Sequence, residues 1–261
     1  MNRNEVLTLL AAQIKADPTE LIAYADEDTI GGYHWNPALA TWKQGSLFEV
    51  EGQTLYAIIR HLKPEKVVEI GGWAGCSGAH LAAAVIKNGF GHVYSVDNEV
   101  GGQSHGADLQ PEFQDVVTLV AANGEDWLAE QEDQSLGFVF EDASHSTELV
   151  ALLSRLALRK LAPGGILANH DAAHDFAYIG GGAIVNSSVG REVRDGLAEA
   201  NAFFKVYLAE PSDCGLAVTV IPGNRQAPIV DEYGIGPIES APKPDETKPK
   251  AKRAPRTKKA E

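Results

Sequence analysis

Two short strings place acids and histidines at spacings that can do chemistry: Phe140-Glu141-Asp142-Ala143-Ser144-His145 and Asn169-His170-Asp171-Ala172-Ala173-His174. Each follows an apolar run of strand character, one over 137–141 and one from 166 onward. If those runs are adjacent strands, both strings stand over one crevice, where oxygen and nitrogen donors suit a divalent cation. Asp142, His170 and Asp171 make up the candidate ligand set, with Mg²⁺ or Mn²⁺ as the candidate ion. The same residues admit a structural reading. Asp142 and Ser144 can cap the helix that follows, and His170 or His174 can be an uncharged core residue with its hydrogen bonds satisfied.

A second constellation lies upstream. Glu69-Ile70-Gly71-Gly72-Trp73-Ala74-Gly75-Cys76-Ser77 joins a strand-like run to a helix-like one. Small residues there let the backbone approach a ligand, and free N–H groups at the helix start bind an anion or a carboxylate. Asp97, 28 residues after Glu69, ends the next strand-like run, where a carboxylate can accept both hydroxyls of a ribose. A tight turn and a helix-capping Asp are the plainer alternatives. Gly71, Gly72 and Gly75 do not form GxGxxG, and bulky Trp73 stands at the centre, so the expected cofactor lacks a pyrophosphate. There is no Walker A motif.

The elements that must hold these residues are legible as an alternation. Val6, Leu9, Leu10 and Ile14 recur at helical spacing in an opening helical stretch over 4–25, with a break near Asp17-Pro18. The stretch 26–47 is turn-rich, and its Trp35 and Trp42 either cover the core or line a substrate rim. A helix is predicted over 51–61, and strands over 66–70, 92–96, 116–120, 137–141 and from 166. Helices are predicted over 77–88, weakly over 110–114, and over 147–160, and Pro163-Gly164-Gly165 reads as a turn. A helix over 190–201 and strands over 204–208 and 215–221 complete the pattern. Such alternation predicts an α/β fold, a mostly parallel sheet with helices on both faces and ligands at the carboxyl ends of the strands. Gly180-Gly181-Gly182 is either a substrate loop or a slack connector.

Glu69-x-Gly71-x-Trp73-x-Gly75-x-Ser77 resembles the first motif of class I S-adenosylmethionine-dependent methyltransferases, in its catechol O-methyltransferase-like form. Glu51-Gly52-Gln53 and Leu62-Lys63-Pro64 are similar to the lead-in helix of that group. The resemblance implies a Rossmann-like methyltransferase fold with a seven-stranded sheet and S-adenosylmethionine as cofactor. It assigns cofactor contacts to Glu69, Gly71, Gly75, Ser77 and Asp97, with Asn123 near the adenine unless it merely caps the next segment. The second half resembles metal-dependent O-methyltransferases, including the macrocin O-methyltransferase-like group. By that likeness Asp142, His170 and Asp171 fall on the three metal ligands and His145 on the general base, with His174 a second candidate. Ala143 replaces a usual Gly, and His170 stands where many relatives carry an acid, which weakens the affinity or favours a softer metal.

The implied activity is O-methylation of a hydroxylated small molecule, with the cation lowering the hydroxyl pKa and His145 taking the proton. A metal-dependent hydroxylase or hydrolase on this fold, or a noncatalytic binding protein, are the competing readings. The likeness covers roughly residues 48–221. It divides the chain into a helical cap (1–47), a methyltransferase domain (48–222) and an extension (223–261) that reads as a disordered basic tail from about 241.

Charge sharpens that division. The chain of 261 residues carries 36 acidic and 22 basic groups, a net charge of −14. Eight of those basic groups and three of the acidic ones lie in 242–261, which leaves −19 on 1–241. An acidic body weighs against general nucleic-acid binding, except through the tail. Cys76 and Cys214 are too few and too far apart for a disulfide framework. The apolar run near 81–86 is too short for a membrane span, and Met1-Asn2-Arg3-Asn4-Glu5 does not begin a secretory signal, so a cytoplasmic protein is expected. Homo-oligomerisation is compatible with these features.

Overall fold

The computed structural model describes residues 1–30, 35–36, 41–42, 47–98, 105–107, 109–143, 147–172, 177–179, 183–185, 204–208 and 215–223. His145, Ser144, His174, the glycine run 180–182, the helix expected over 190–201 and the basic tail lie outside the described residues, as do the side chains of Trp35 and Trp42.

The chain opens with two helices, α1 (Arg3–Ile14) and α2 (Pro18–Glu27). Asn2 caps the first through the Glu5 amide while the Glu5 carboxylate returns to the Asn2 amide, a reciprocal capping box. Lys15 then turns left-handed, and Pro18 starts α2 behind the cap Asp17, which accounts for the break expected there. A short hairpin, β1 (Trp35–Asn36) and β2 (Thr41–Trp42), leads to α3 (Glu49–Leu62). The alternating stretch follows as β3 (Lys66–Ile70), α4 (Cys76–Asn88), β4 (His92–Asp97), a 3₁₀ turn (Pro111–Phe113), β5 (Val117–Ala121), α5 (Gly124–Glu130), β6 (Leu136–Glu141) and α6 (Thr147–Lys160). Then come β7 (Leu161–His170), the small hairpin β8 (Ala177–Ile179) and β9 (Ala183–Val185), β10 (Phe204–Leu208) and β11 (Leu216–Val220).

Among the described residues, seven strands form one sheet in the order β10-β11-β7-β6-β3-β4-β5. Six run the same way and β11 alone is reversed, pairing antiparallel with both neighbours, so the expected mostly parallel seven-stranded α/β sheet is what the chain builds. The two small hairpins and helix α5 were not foreseen. Pro163-Gly164-Gly165 also differs from expectation, because β7 runs through it. Leu136 pairs with Leu161 and Phe138 with Ile166, so the extra residues form a bulge, with Gly164 at φ 84°.

Alternation along the strands splits the core into two layers. Val67, Phe138, Phe140 and Ala168 pack with α1, α3 and α4 on one face, whereas Val68, Ile70, Val139 and Leu167 pack with α5 and α6 on the other. Covered on both faces, the central strands read as nearly continuous apolar runs, and that is why they were visible in the sequence. Among the described residues, no helix is long and apolar enough to cross a membrane.

Candidate active site

Chain order reverses at β3: β4 lies on one side and β6 on the other. At such a switch point the connections leave in opposite directions and open a crevice beyond the strands' carboxyl ends. Register keeps those ends level. Ile70 pairs with Val96 and with Glu141, and Glu141 pairs with Asn169. Asp97, Asp142 and His170 therefore emerge side by side around the turn after β3.

That turn approaches the neighbouring backbone very closely. A Cβ on Gly71, which has φ 92°, would stand 2.3 Å from the Asp142 carbonyl oxygen. Gly75, the N-cap of α4, has φ 98°, so both positions need a residue that tolerates the left-handed region. Trp73 between them is also left-handed at φ 36°, a conformation that costs a non-glycine residue energy and recurs at ligand sites. Its amide donates to Asp97 Oδ2 at 2.8 Å, which ties the turn to the end of β4. A cavity of about 240 Å³ opens beside this contact, lined by Gly71, Asp97, Asn98, Gly124, Glu125 and Leu149, among others.

Glu69 lies beneath the turn rather than in that cavity. It is fully buried, and its two oxygens accept hydrogen bonds from the Ser77 and Ser95 hydroxyls. Burial pushes its carboxyl up to about 7, against the lowering influence of those two hydroxyls. Ser95 also contacts His105 Nε2 at 2.9 Å. Asn123 occupies the N-cap position of α5 without capping it; its amide donates to Asp126 at 3.0 Å and its oxygen accepts from Asn98 at 3.2 Å.

On the other side of β3, Asp142, His170 and Asp171 bring one ligating atom each to within 4.8 Å of one another. His170 Nδ1 is 3.1 Å from Asp142 Oδ1 and 3.7 Å from Asp171 Oδ1. Asp171 is held at φ 56° just beyond the strand, a second left-handed non-glycine at the crevice. The imidazole is buried edge-on to Phe140. Burial by itself lowers the pKa of His170, but the charges of Asp142, Glu51 and Asp171 outweigh it and hold the pKa well above the ordinary 6.5.

Two carboxylates and an imidazole at these separations fit a divalent cation. With Glu51 included, three carboxylates surround one imidazole, so negative charge remains even when the ring is protonated. The nitrogen donor favours Mn²⁺ or a softer ion over Mg²⁺.

The reading from sequence missed Glu51. This carboxylate on α3 is fully buried and reaches His170 Nε2 at 3.1 Å. Its signal was an acid on the same helical stripe as Leu55 and Ile58, both fully buried. The Glu141–Asn169 pair beneath the site, at 2.9 Å, was likewise not singled out.

Residues 68–172 match the family model described as a methyltransferase domain. Among solved structures, the chain is similar to an S-adenosylhomocysteine-bound methyltransferase of Podospora anserina, with 15% identity, 77% of this chain and 93% of that chain covered, and a TM-score of 0.56. A putative O-methyltransferase of Klebsiella pneumoniae matches at 17% identity over 82% of this chain and 94% of the other, with a TM-score of 0.53. The O-methyltransferase TomG of Streptomyces achromogenes, involved in tomaymycin synthesis and solved with S-adenosylmethionine, matches at 14% identity over 81% and 99%, with a TM-score of 0.51. No curated protein matches the sequence. The chain has the class I S-adenosylmethionine-dependent methyltransferase fold.

Proposed function

We propose that the protein is an S-adenosylmethionine-dependent O-methyltransferase that acts on a hydroxylated small molecule with the help of a divalent cation. The observation that carries this reading is the convergence, at the carboxyl ends of adjacent parallel strands, of the glycine turn, Asp97 and the Asp142–His170–Asp171 cluster. A methyl donor and an activated acceptor need two such half-sites side by side.

Asp97 has one oxygen on the Trp73 amide, and its carboxylate is the residue we assign to the ribose hydroxyls. Gly71 and Gly75 let the backbone approach the amino-acid end of the cofactor, while Glu69 and Ser77 brace that turn from below. Asn123, which accepts a hydrogen bond from Asn98 of the cavity wall, is the residue we assign to the nucleoside end of the cofactor. S-adenosylmethionine supplies a sulfonium methyl group, and alignment of the acceptor with it is the main source of rate. A divalent cation held by Asp142, His170 and Asp171 would lower the pKa of the acceptor hydroxyl. His145, three residues beyond Asp142, is the residue we assign to accept the hydroxyl proton.

The test is an assay of the full chain with S-adenosylmethionine, Mn²⁺ or Mg²⁺ and a panel of sugar and aromatic hydroxyl acceptors. We expect S-adenosylhomocysteine release that depends on both acceptor and metal. Asp142→Ala should weaken Mn²⁺ binding, and His145→Ala should lower turnover about 10²–10⁴-fold with cofactor affinity retained. Absence of methyl transfer alongside another metal-dependent turnover would replace this reading with a hydroxylase or hydrolase.

A further inference from the structure

The His170 ring faces two different environments. Nε2 points to Glu51 Oε2 at 3.1 Å, and the same oxygen accepts the Phe48 amide at 2.9 Å at the start of α3. Nδ1 points to Asp142 and Asp171, which share the candidate cation position. Glu51 is completely buried and His170 nearly so, which leaves no room for water to exchange these partners freely.

An ionised carboxylate only accepts hydrogen bonds. Glu51 therefore requires a proton on Nε2. In a neutral ring, that leaves the lone pair on Nδ1, directed at the two crevice carboxylates. A lone pair facing two anions is repulsive; a second proton on Nδ1 relieves it in the absence of metal, and a bound cation takes that proton's place. Ligating histidines commonly hand their other N–H to a carboxylate, which fixes the tautomer and raises the basicity of the metal-bound nitrogen.

We infer that Glu51 is a positioning residue of the cation site, holding His170 as an Nε2–H tautomer so that Nδ1 ligates with Asp142 and Asp171. The inference rests on the divalent-cation reading above. Glu51 lies outside the matched methyltransferase segment, 68–172, so its role makes the lead-in helix α3 part of the site. The register of α3 then sets cation affinity, because Glu51 is joined to the helix start through Phe48. It also explains how a histidine works where an acid would need no such partner.

The experiment is Mn²⁺ titration of the full chain followed by electron paramagnetic resonance, with S-adenosylhomocysteine affinity measured in parallel. Glu51→Gln should weaken Mn²⁺ about 10–100-fold and leave S-adenosylhomocysteine affinity in place. In a His170→Asp background the ligand is an anion that Glu51 repels, so Glu51→Gln should then leave Mn²⁺ affinity equal or improved. A purely structural role would not reverse in this way.

If Glu51→Gln fails to fold, the wild-type chain loaded with Zn²⁺ still decides the matter. Long-range ¹H–¹⁵N spectra of His170 should show the proton on Nε2; a proton on Nδ1 would overturn the assignment. Equal Mn²⁺ affinity in wild type and Glu51→Gln sinks the role of Glu51 alone. A wild-type chain that binds no Mn²⁺ removes both this role and the cation reading, while its S-adenosylhomocysteine affinity reports separately on the methyl-donor site.

Discussion

Glu69 shows how a motif residue can be read correctly for position and still surprise in its state. Its place before the glycine turn was visible in the sequence, but its burial was not, since depth depends on what α4 and β4 bring over it. Raised from 4.5 to about 7, the carboxyl is favoured in its protonated form inside the fold. Its contribution to stability is thus fully present below pH 4.5 and is lost as pH rises through 7. The two pKa values bound that loss at about 3 kcal/mol. We predict that Glu69→Gln, which stays uncharged, flattens the pH dependence; urea unfolding of both proteins at pH 5 and pH 8 checks it, and identical slopes with pH would show that Glu69 does not titrate there. Asp142, His170 and Asp171 were legible because they end apolar runs. Glu51 was not, because its separation of 119 positions from His170 is closed only by tertiary packing.

At the scale of elements, the strands from 66 to 141 and the helices α4 and α6 were legible almost to the residue, whereas α5, a single short stretch over Gly124–Glu130, was not. The bulge in β7 was not, because Pro163-Gly164-Gly165 has turn chemistry that pairing with β6 and β11 overrides. The two small hairpins escaped for want of a long periodic run. The docking of the N-terminal helices also had no sequence signal. Besides the apolar contacts of Leu7, Leu21 and Ala57, it uses Asp28, the C-cap of α2, which meets His80 Nδ1 of α4 at 2.5 Å with both side chains fully buried. Gly52 of α3 lets the His80 ring lie against the helix backbone; an added Cβ would be 2.3 Å from the ring. We predict that Gly52→Ala destabilises the fold by about 1–3 kcal/mol through overpacking, despite the better helix propensity of Ala. A thermal midpoint equal to or above wild type would show that the ring moves aside at no cost.

For the whole molecule, the contrast between an acidic body and a basic terminal segment separates the part that carries the site from one that need not. We predict that deleting 242–261 leaves S-adenosylhomocysteine affinity and turnover within about twofold, since its Lys, Pro and Ala content lacks the apolar residues a packed core requires. A folded truncation with lost activity would assign the tail a place in the site. The reversed strand β11 carries a different consequence. Leu216 pairs with His170, so β11, the last strand among the described residues, is wedged beside a candidate ligand, and β10 joins the sheet by pairing with β11. Until residue 220 has left the ribosome, β7 is an open apolar edge of the kind that recruits other chains. Chains ending between 172 and 215 would carry every candidate cation ligand and yet leave that edge open.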